Sequence, residues 1–225
     1  MKGTQNILAM IVAATAVACA ASGARPSLLQ GPRVLAIRAD PVALPAQGPV
    51  VLEALTHAAT EFKWRGCVLP WSAATDPVCP GGELALGTGN PVTIDPPANL
   101  SVLHVRLDSR GPAGVAEPAI LRLQAGAKGV NPVVELELAT GLALPAGVVK
   151  AGSVRLRSRV AGGVLADGVN TFFATAGEFS PWHTLRADVS TWAVPGLPGA
   201  ATLTVVVRDG AGGVGWRSAA VEVLP

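Results

Sequence analysis

Apolar and polar side chains alternate with a period of two along most of this chain, and that period predicts β-strands. The clearest run is 100–108, where Leu103, Val105 and Leu107 alternate with His104, Arg106 and Asp108. Over 50–58, Val50, Leu52 and Ala54 share one face while Val51, Glu53 and His57 take the other. Over 60–68, Phe62 and Trp64 point one way and Glu61, Lys63 and Arg65 the other, so Trp64 is the expected core pin. The run 153–160 puts Arg155, Arg157 and Arg159 on one face, and 133–139 carries Glu135 and Glu137. Pairing those carboxylates with the arginine ladder across two strands would contribute roughly a few tenths of a kcal/mol per pair. Shorter or weaker strands are predicted at 33–39, 83–86, 91–94, 119–124, 169–175 and 184–188, and a terminal hairpin joins 202–209 to 219–224. No stretch repeats its apolar residues at helical spacing.

Turn residues separate these runs at the intervals of a sandwich fold. The chain has 26 Gly and 19 Pro in 225 residues, yet 50% of it is hydrophobic, which marks a turn-rich globular sequence and not a disordered one. The segment 125–132 (AGAKGVNP) is small, polar and closed by Asn-Pro, and is the expected boundary between two units, 33–125 and 132–225. Each has the length of one small sandwich. The predicted fold class is therefore all-β, with two tandem β-sandwich domains. Charge narrows the function further. Only 14% of residues are charged, the formal net charge is +2, and no block of like charges occurs, so nothing steers the protein to nucleic acid.

The N-terminus decides the compartment. Lys2 precedes an apolar run over 7–18, and Ala16 and Ala18 bracket the bond before Cys19, which is the layout of a secretory signal peptide over 1–18. Counted on to Ala21, the apolar run is about fifteen residues, short of the ~20 that span a bilayer. The chain has 3 cysteines, an odd number for an exported protein. Cys67 and Cys79 enclose a short Pro-containing loop and can pair as a disulfide, which leaves Cys19 over. Ala16-Val17-Ala18-Cys19 resembles the bacterial lipobox, although Ala16 stands where that motif usually has Leu. The resemblance implies lipidation of Cys19, with 20–32 as a flexible tether rich in Gly and Pro. With Ala20 after the cysteine, it also implies outer-membrane sorting in a Gram-negative cell. Ordinary signal cleavage at the same bond is the competing route, and it yields a periplasmic or secreted protein.

Three features, RVLAIRADP near the mature start, the Trp64 strand with Cys67 beside it, and LTVVVRDGAGGVGW over 203–216, carry a family resemblance. Taken together the chain resembles bacterial, often myxobacterial, predicted lipoproteins with tandem Ig-like or PKD-like domains. The resemblance implies two Ig-like β-sandwiches and a cell-surface or periplasmic address. Such proteins generally have no known activity, so it transfers no functional residues. The hallmark disulfide of the immunoglobulin fold joins its second and sixth strands, whereas a Cys67–Cys79 bridge would be a local staple.

No catalytic constellation emerges, and no metal or cofactor is expected. Gly210, Gly212 and Gly215 match the spacing of a dinucleotide-binding fingerprint, but no helix follows them, so a hairpin turn is expected. Asp209 beside them supplies one carboxylate where calcium wants six to eight oxygens. Asp167, Glu178 and Asp188 would have to converge on it from other loops. His57, His104 and His183 lie far apart, without metal-ligand spacing. Trp182 and Trp192, in the loop-rich second unit, are candidate ligand contacts, since exposed rings stack on sugars or anchor a protein partner; with so few aromatics overall, however, most are expected to be buried in the core. The leading expectation is a non-enzymatic, lipid-anchored envelope protein acting as an interaction or scaffold module, with another envelope protein or a glycan as partner. The alternative is a carbohydrate- or peptidoglycan-binding surface module.

Overall fold

The computed structural model describes residues 26–72, 77–142, 144, 147–163, 165, 167–186 and 188–225. They form strands and loops only. In the first half the strands are β1 (Arg33–Asp40), β2 (Val50–His57), β3 (Glu61–Cys67), β4 (Leu84–Thr88), β5 (Val92–Ile94), β6 (Val102–Gly111), β7 (Gly114–Val115) and β8 (Ala119–Gln124). In the second they are β9 (Val134–Leu138), β10 (Gly147–Lys150), β11 (Gly152–Val160), β12 (Val169–Ala174), β13 (Glu178–Ser180), β14 (His183–Leu185), β15 (Ser190–Val194), β16 (Gly199–Arg208) and β17 (Val214–Leu224). The segment 125–132 holds no strand and lies between the two sets. Among the described residues, no helix is long and apolar enough to cross a membrane.

The first half has a β1-β2-β5 sheet and a β4-β3-β6 sheet that continues to β7 and β8. Their facing side chains make one core, with Ile37, Val50, Leu52 and Ile94 from one sheet and Trp64, Leu103, Val105 and Leu107 from the other. These are the inward positions of the period-two pattern. Each fully buried side chain of this size contributes roughly 1.5–3 kcal/mol. Trp64 is the pin the alternation predicts. It is 1% exposed, and its indole N–H donates to the Gly89 carbonyl at 2.7 Å, so burial leaves no unpaired donor.

The second half pairs a β10-β17-β16-β12-β14 sheet with a β13-β15-β11-β9 sheet. Leu136, Leu156, Trp192 and Val194 from one face Phe172, Leu203, Val205 and Val223 from the other. β10 runs parallel to β17, while the neighbouring ladders are antiparallel. The terminal hairpin forms as expected, with ladder pairs from Gly199–Val223 to Arg208–Val214.

The segment expected to be a tether departs from that expectation over its described part, from Pro26 onward. Ser27 and Leu29 are buried, and residue 28 bridges to Ala174 in parallel. The reason lies in β12. On its β14 side the ladder ends early: β14 pairs with Val169, Asn170 and Thr171, and the Phe172 N–H donates to the Trp182 carbonyl, so Ala174 needs another partner on that edge. An unpaired buried amide is costly. The Ala174 N–H donates to the Ser27 carbonyl, the Leu29 N–H donates to the Ala174 carbonyl, each at 2.8 Å, and the Ser27 hydroxyl accepts from the Phe179 N–H at 3.0 Å. The chain is thus strapped to the second half before it enters the first.

Candidate functional site

The strap begins a junction between the halves that alternation alone does not disclose. β1 lies on the outer face of the β12-β16-β17 sheet, where Leu29, Leu35 and Ala36 pack with Phe173, Val206 and Val214. A register shift between Val34 and Ala36 in the β1–β2 ladder marks a bulge at this point. Two arginines of β1 cover aromatic rings of the second half: Arg33 sits 5.5 Å from the Phe173 centroid and Arg38 sits 4.3 Å from that of Trp216. Arg38 is also paired with Glu53 at 2.6 Å.

The linker completes the clamp. Asn131 donates to the Ala39 carbonyl at 2.8 Å and accepts from the Val214 N–H at 3.0 Å, so one side chain bonds to both halves. Asp209 accepts from the backbone N–H groups of Val130, Ala211 and Gly213 at 2.7–2.9 Å. Its carboxylate therefore organises the β16–β17 turn and holds the linker against it. The three glycines in fingerprint spacing belong to the same hairpin. Gly210 and Gly212 have φ of +79° and +108°, values that favour glycine. A Cβ at Gly215 would strike the Pro132 carbonyl, and one at Gly213 the Val130 carbonyl, so glycine there lets the linker pass.

A cleft of about 450 Å³ opens between β1, β8 and the β16–β17 turn. Its walls include Val34, Ile37, Leu121 and Val214, with Ile120 on the rim, 52% exposed. Arg208, at the end of β16, is the one charged side chain among its described lining residues. Sequence reasoning placed a strand end here and missed the cleft, because its walls come from three strands far apart in the chain.

The other expected positions are more dispersed. Cys19 lies outside the described residues. Cys67 and Cys79 form a disulfide with 5.7 Å between Cα atoms. It packs with Trp71 under the β3–β4 loop, on the outer face of the first half, so the bridge pins that loop to the sheet. Trp71, unremarked in the alternation, lies 5.8 Å from the Arg65 guanidinium and 5.6 Å from that of Arg106. Asp108 binds both arginines, Arg65 at 2.5 Å and Arg106 at 2.8 Å, and Glu83 binds Arg65 at 2.8 Å. Burial pulls the Arg65 pKa down, but hydrogen bonds to Asp108 and Glu83 and their charges leave it raised overall.

The two tryptophans offered as ligand contacts part company. Trp192 is 0% exposed, and its indole N–H donates to the Ala176 carbonyl at 3.0 Å, so its ring belongs to the core and cannot stack on a sugar. It stacks on Phe179 at 6.4 Å, and Phe179 in turn meets Phe172 at 5.3 Å. Trp182 is partly buried against the same core and meets His183 edge-on at 4.7 Å. The two do not form one aromatic platform. The Glu135, Glu137 and arginine arrangement is present: Arg157 donates to Glu137 at 2.7 Å and Arg159 pairs with Glu135. Glu137 is buried, because the two arginine side chains lie against it. Burial, then the positive charge of Arg122, holds the His104 pKa below its ordinary value. Among the described residues, no three His, Cys, Asp or Glu side chains gather in a way that could hold a metal ion.

No family model matches this chain, and no curated protein matches it. Among solved structures it is similar to a chain of the crystal structure of mouse coronavirus receptor-binding domain complexed with its murine receptor. That match has 12% identity over 84% of this chain and 99% of the other, with a TM-score of 0.26. Similarity at that level carries no argument about fold or function.

Proposed function

We propose that the protein is a non-enzymatic, lipid-anchored protein of the cell envelope whose two Ig-like β-sandwich units act together as one interaction or scaffold module. The strand order supports the Ig-like reading. In the first half, three strands face a sheet built on β3 and β6, with the buried Trp64 on the third strand. In the second, β9 and β10 lie on opposite sheets and β10 pairs in parallel with the last strand. The family resemblance and the signal layout ending at Cys19 support the envelope address.

The observation that carries the reading is the strap. Six residues lie between Cys19 and Pro26, and the seven Cα-to-Cα steps reach at most about 25 Å. From Ser27 onward the chain is hydrogen-bonded to the second half. An acyl anchor at Cys19 therefore tethers the clamped pair of units by a short lead, with the β12–β13 end of the second half nearest the bilayer. At about 0.8 kcal/mol per buried CH₂, several acyl chains hold such a body at the membrane. The glycan-binding alternative rested on Trp182 and Trp192 as exposed rings, and with Trp192 in the core no observation favours it.

Metabolic labelling with a tagged fatty acid tests the anchor. Label is expected in the wild-type chain and absent from Cys19→Ala; equal labelling of both, or none in either, overturns it.

A further inference from the structure

At the junction, Arg208 has no counter-ion among the described residues. Arg208 donates to the Thr171 hydroxyl at 3.3 Å and to the Leu35 carbonyl at 3.2 Å, both neutral acceptors. No carboxylate pairs with it among the described residues. The neighbouring Asp209 is committed to the N–H groups of Val130, Ala211 and Gly213. Several other arginines are ion-paired: Arg38 has Glu53, Arg65 has Asp108 and Glu83, and Arg157 has Glu137. Burial lowers the Arg208 pKa with no opposing charge to raise it. A desolvated guanidinium without a counter-ion is costly, and an anion beside it offsets that cost.

Arg208 also lines the cleft between the halves, where an anion could reach it. At about 450 Å³ the cleft falls within the range of small-molecule sites. Its charge and its walls define the ligand. One guanidinium matches one negative charge, and the planar fork of Arg fits a carboxylate with two parallel hydrogen bonds. A dianionic phosphate would leave charge uncompensated, since no second cation lines the cleft among the described residues. The remaining walls, Val34, Ile37, Leu121 and Val214, are aliphatic and suit an apolar body.

The geometry points to a binding site for a small organic monocarboxylate in the cleft between the two halves, with Arg208 holding the carboxylate and the aliphatic walls holding its apolar part. Residues of both halves form the site, so occupancy also strengthens the junction. The proposal stands independently of lipidation at Cys19.

Hexanoate is a suitable probe, titrated into the purified protein and followed by calorimetry and by amide NMR shifts at Gly210 and Gly212. Saturable binding is expected, weakened roughly tenfold or more by Arg208→Gln and by the uncharged analogue hexanamide. Ile120→Asp, on the exposed rim, adds a negative charge without disturbing either core and is expected to weaken hexanoate in the same direction. It decides the matter if Arg208→Gln fails to fold. The proposal is overturned if hexanoate does not saturate, if hexanamide binds the wild type equally well, or if a folded variant keeps full affinity. Inorganic phosphate competing as well as hexanoate would overturn the carboxylate assignment.

Discussion

Trp64 in the first half and Trp192 in the second are both buried, and each donates its indole N–H to the carbonyl of a nearby loop. Around them the halves differ. Trp192 sits in an aromatic series with Phe179 and Phe172 inside its core, whereas Trp64 is surrounded by aliphatic side chains such as Leu52, Leu103 and Leu107. The first half has its extra constraint outside the core, where the Cys67–Cys79 bridge, Trp71 and the Arg65–Asp108–Arg106 network fix a loop against the sheet. A small sandwich buries little surface for its length, and these are two ways to supplement it. One is covalent and local, the other is contained in the packing.

The largest expected effect comes from truncating the aromatic series. Trp192→Ala should cost about 3–5 kcal/mol in urea unfolding, through lost burial and the cavity left behind. Trp64→Ala should fall in the same range, so coupling is the sharper measure. A double-mutant cycle between Trp192 and Phe179 should show about 0.5–1.5 kcal/mol of interaction energy, the worth of an aromatic pair beyond its burial. Coupling near zero would remove the distinction drawn between the cores.

A smaller effect is expected from opening the disulfide. Replacing Cys67 and Cys79 by Ser should destabilise the first half by about 3 kcal/mol at most, the loop-closure value for a loop of this size. Hydrogen exchange locates the loss. Protection should fall in β3, β4 and β6 and hold in β12 and β16; an equal fall in both halves would show that the bridge is not a local device.

The smallest effect concerns His104. Burial and Arg122 lower its pKa in the folded state below the ordinary 6.5, so the unfolded chain binds the proton more readily. The stability associated with neutral His104 is therefore complete above about pH 6.5 and is lost as pH falls towards the folded-state value. His104→Gln should flatten the acid-side slope of the urea midpoint. An unchanged slope would assign the acid sensitivity elsewhere.

Most strands were legible in the sequence, cleanly alternating runs and some of the shorter ones alike. Observed β1, β2, β3, β8 and β11 begin and end within a residue or two of the predicted runs. β7, β10, β13 and β15 were not foreseen. Ser190 occupies an inward position of β15 beside Trp192 and Val194, which breaks the apolar face; β10, with Val148 exposed and Val149 buried, is too short to establish a period. The weak run at 184–188 ends at Leu185, because Arg186 turns to a φ of +55°. As for sites, the cysteine pair was readable from proximity and the cross-strand Glu–Arg pairs from parity. The burial of Trp192 agrees with the expectation that most of the few aromatics pack in the core, although its strand was not foreseen.

The sequence by itself determined an all-β chain, which side of most strands faces inward, the glycine-dependent terminal hairpin and the local disulfide. These depend on neighbours in the chain or on period-two geometry. Only the tertiary structure decided that the lead-in to the first half is strapped to the second, that β1 covers the outer face of the β12-β16-β17 sheet, and that Arg208 is left at the junction without a carboxylate among the described residues. Alternation assigns a residue to the outer face of its own sheet. It does not say what will later cover that face, since the covering strand lies more than a hundred residues away and is selected by shape and unpaired backbone groups.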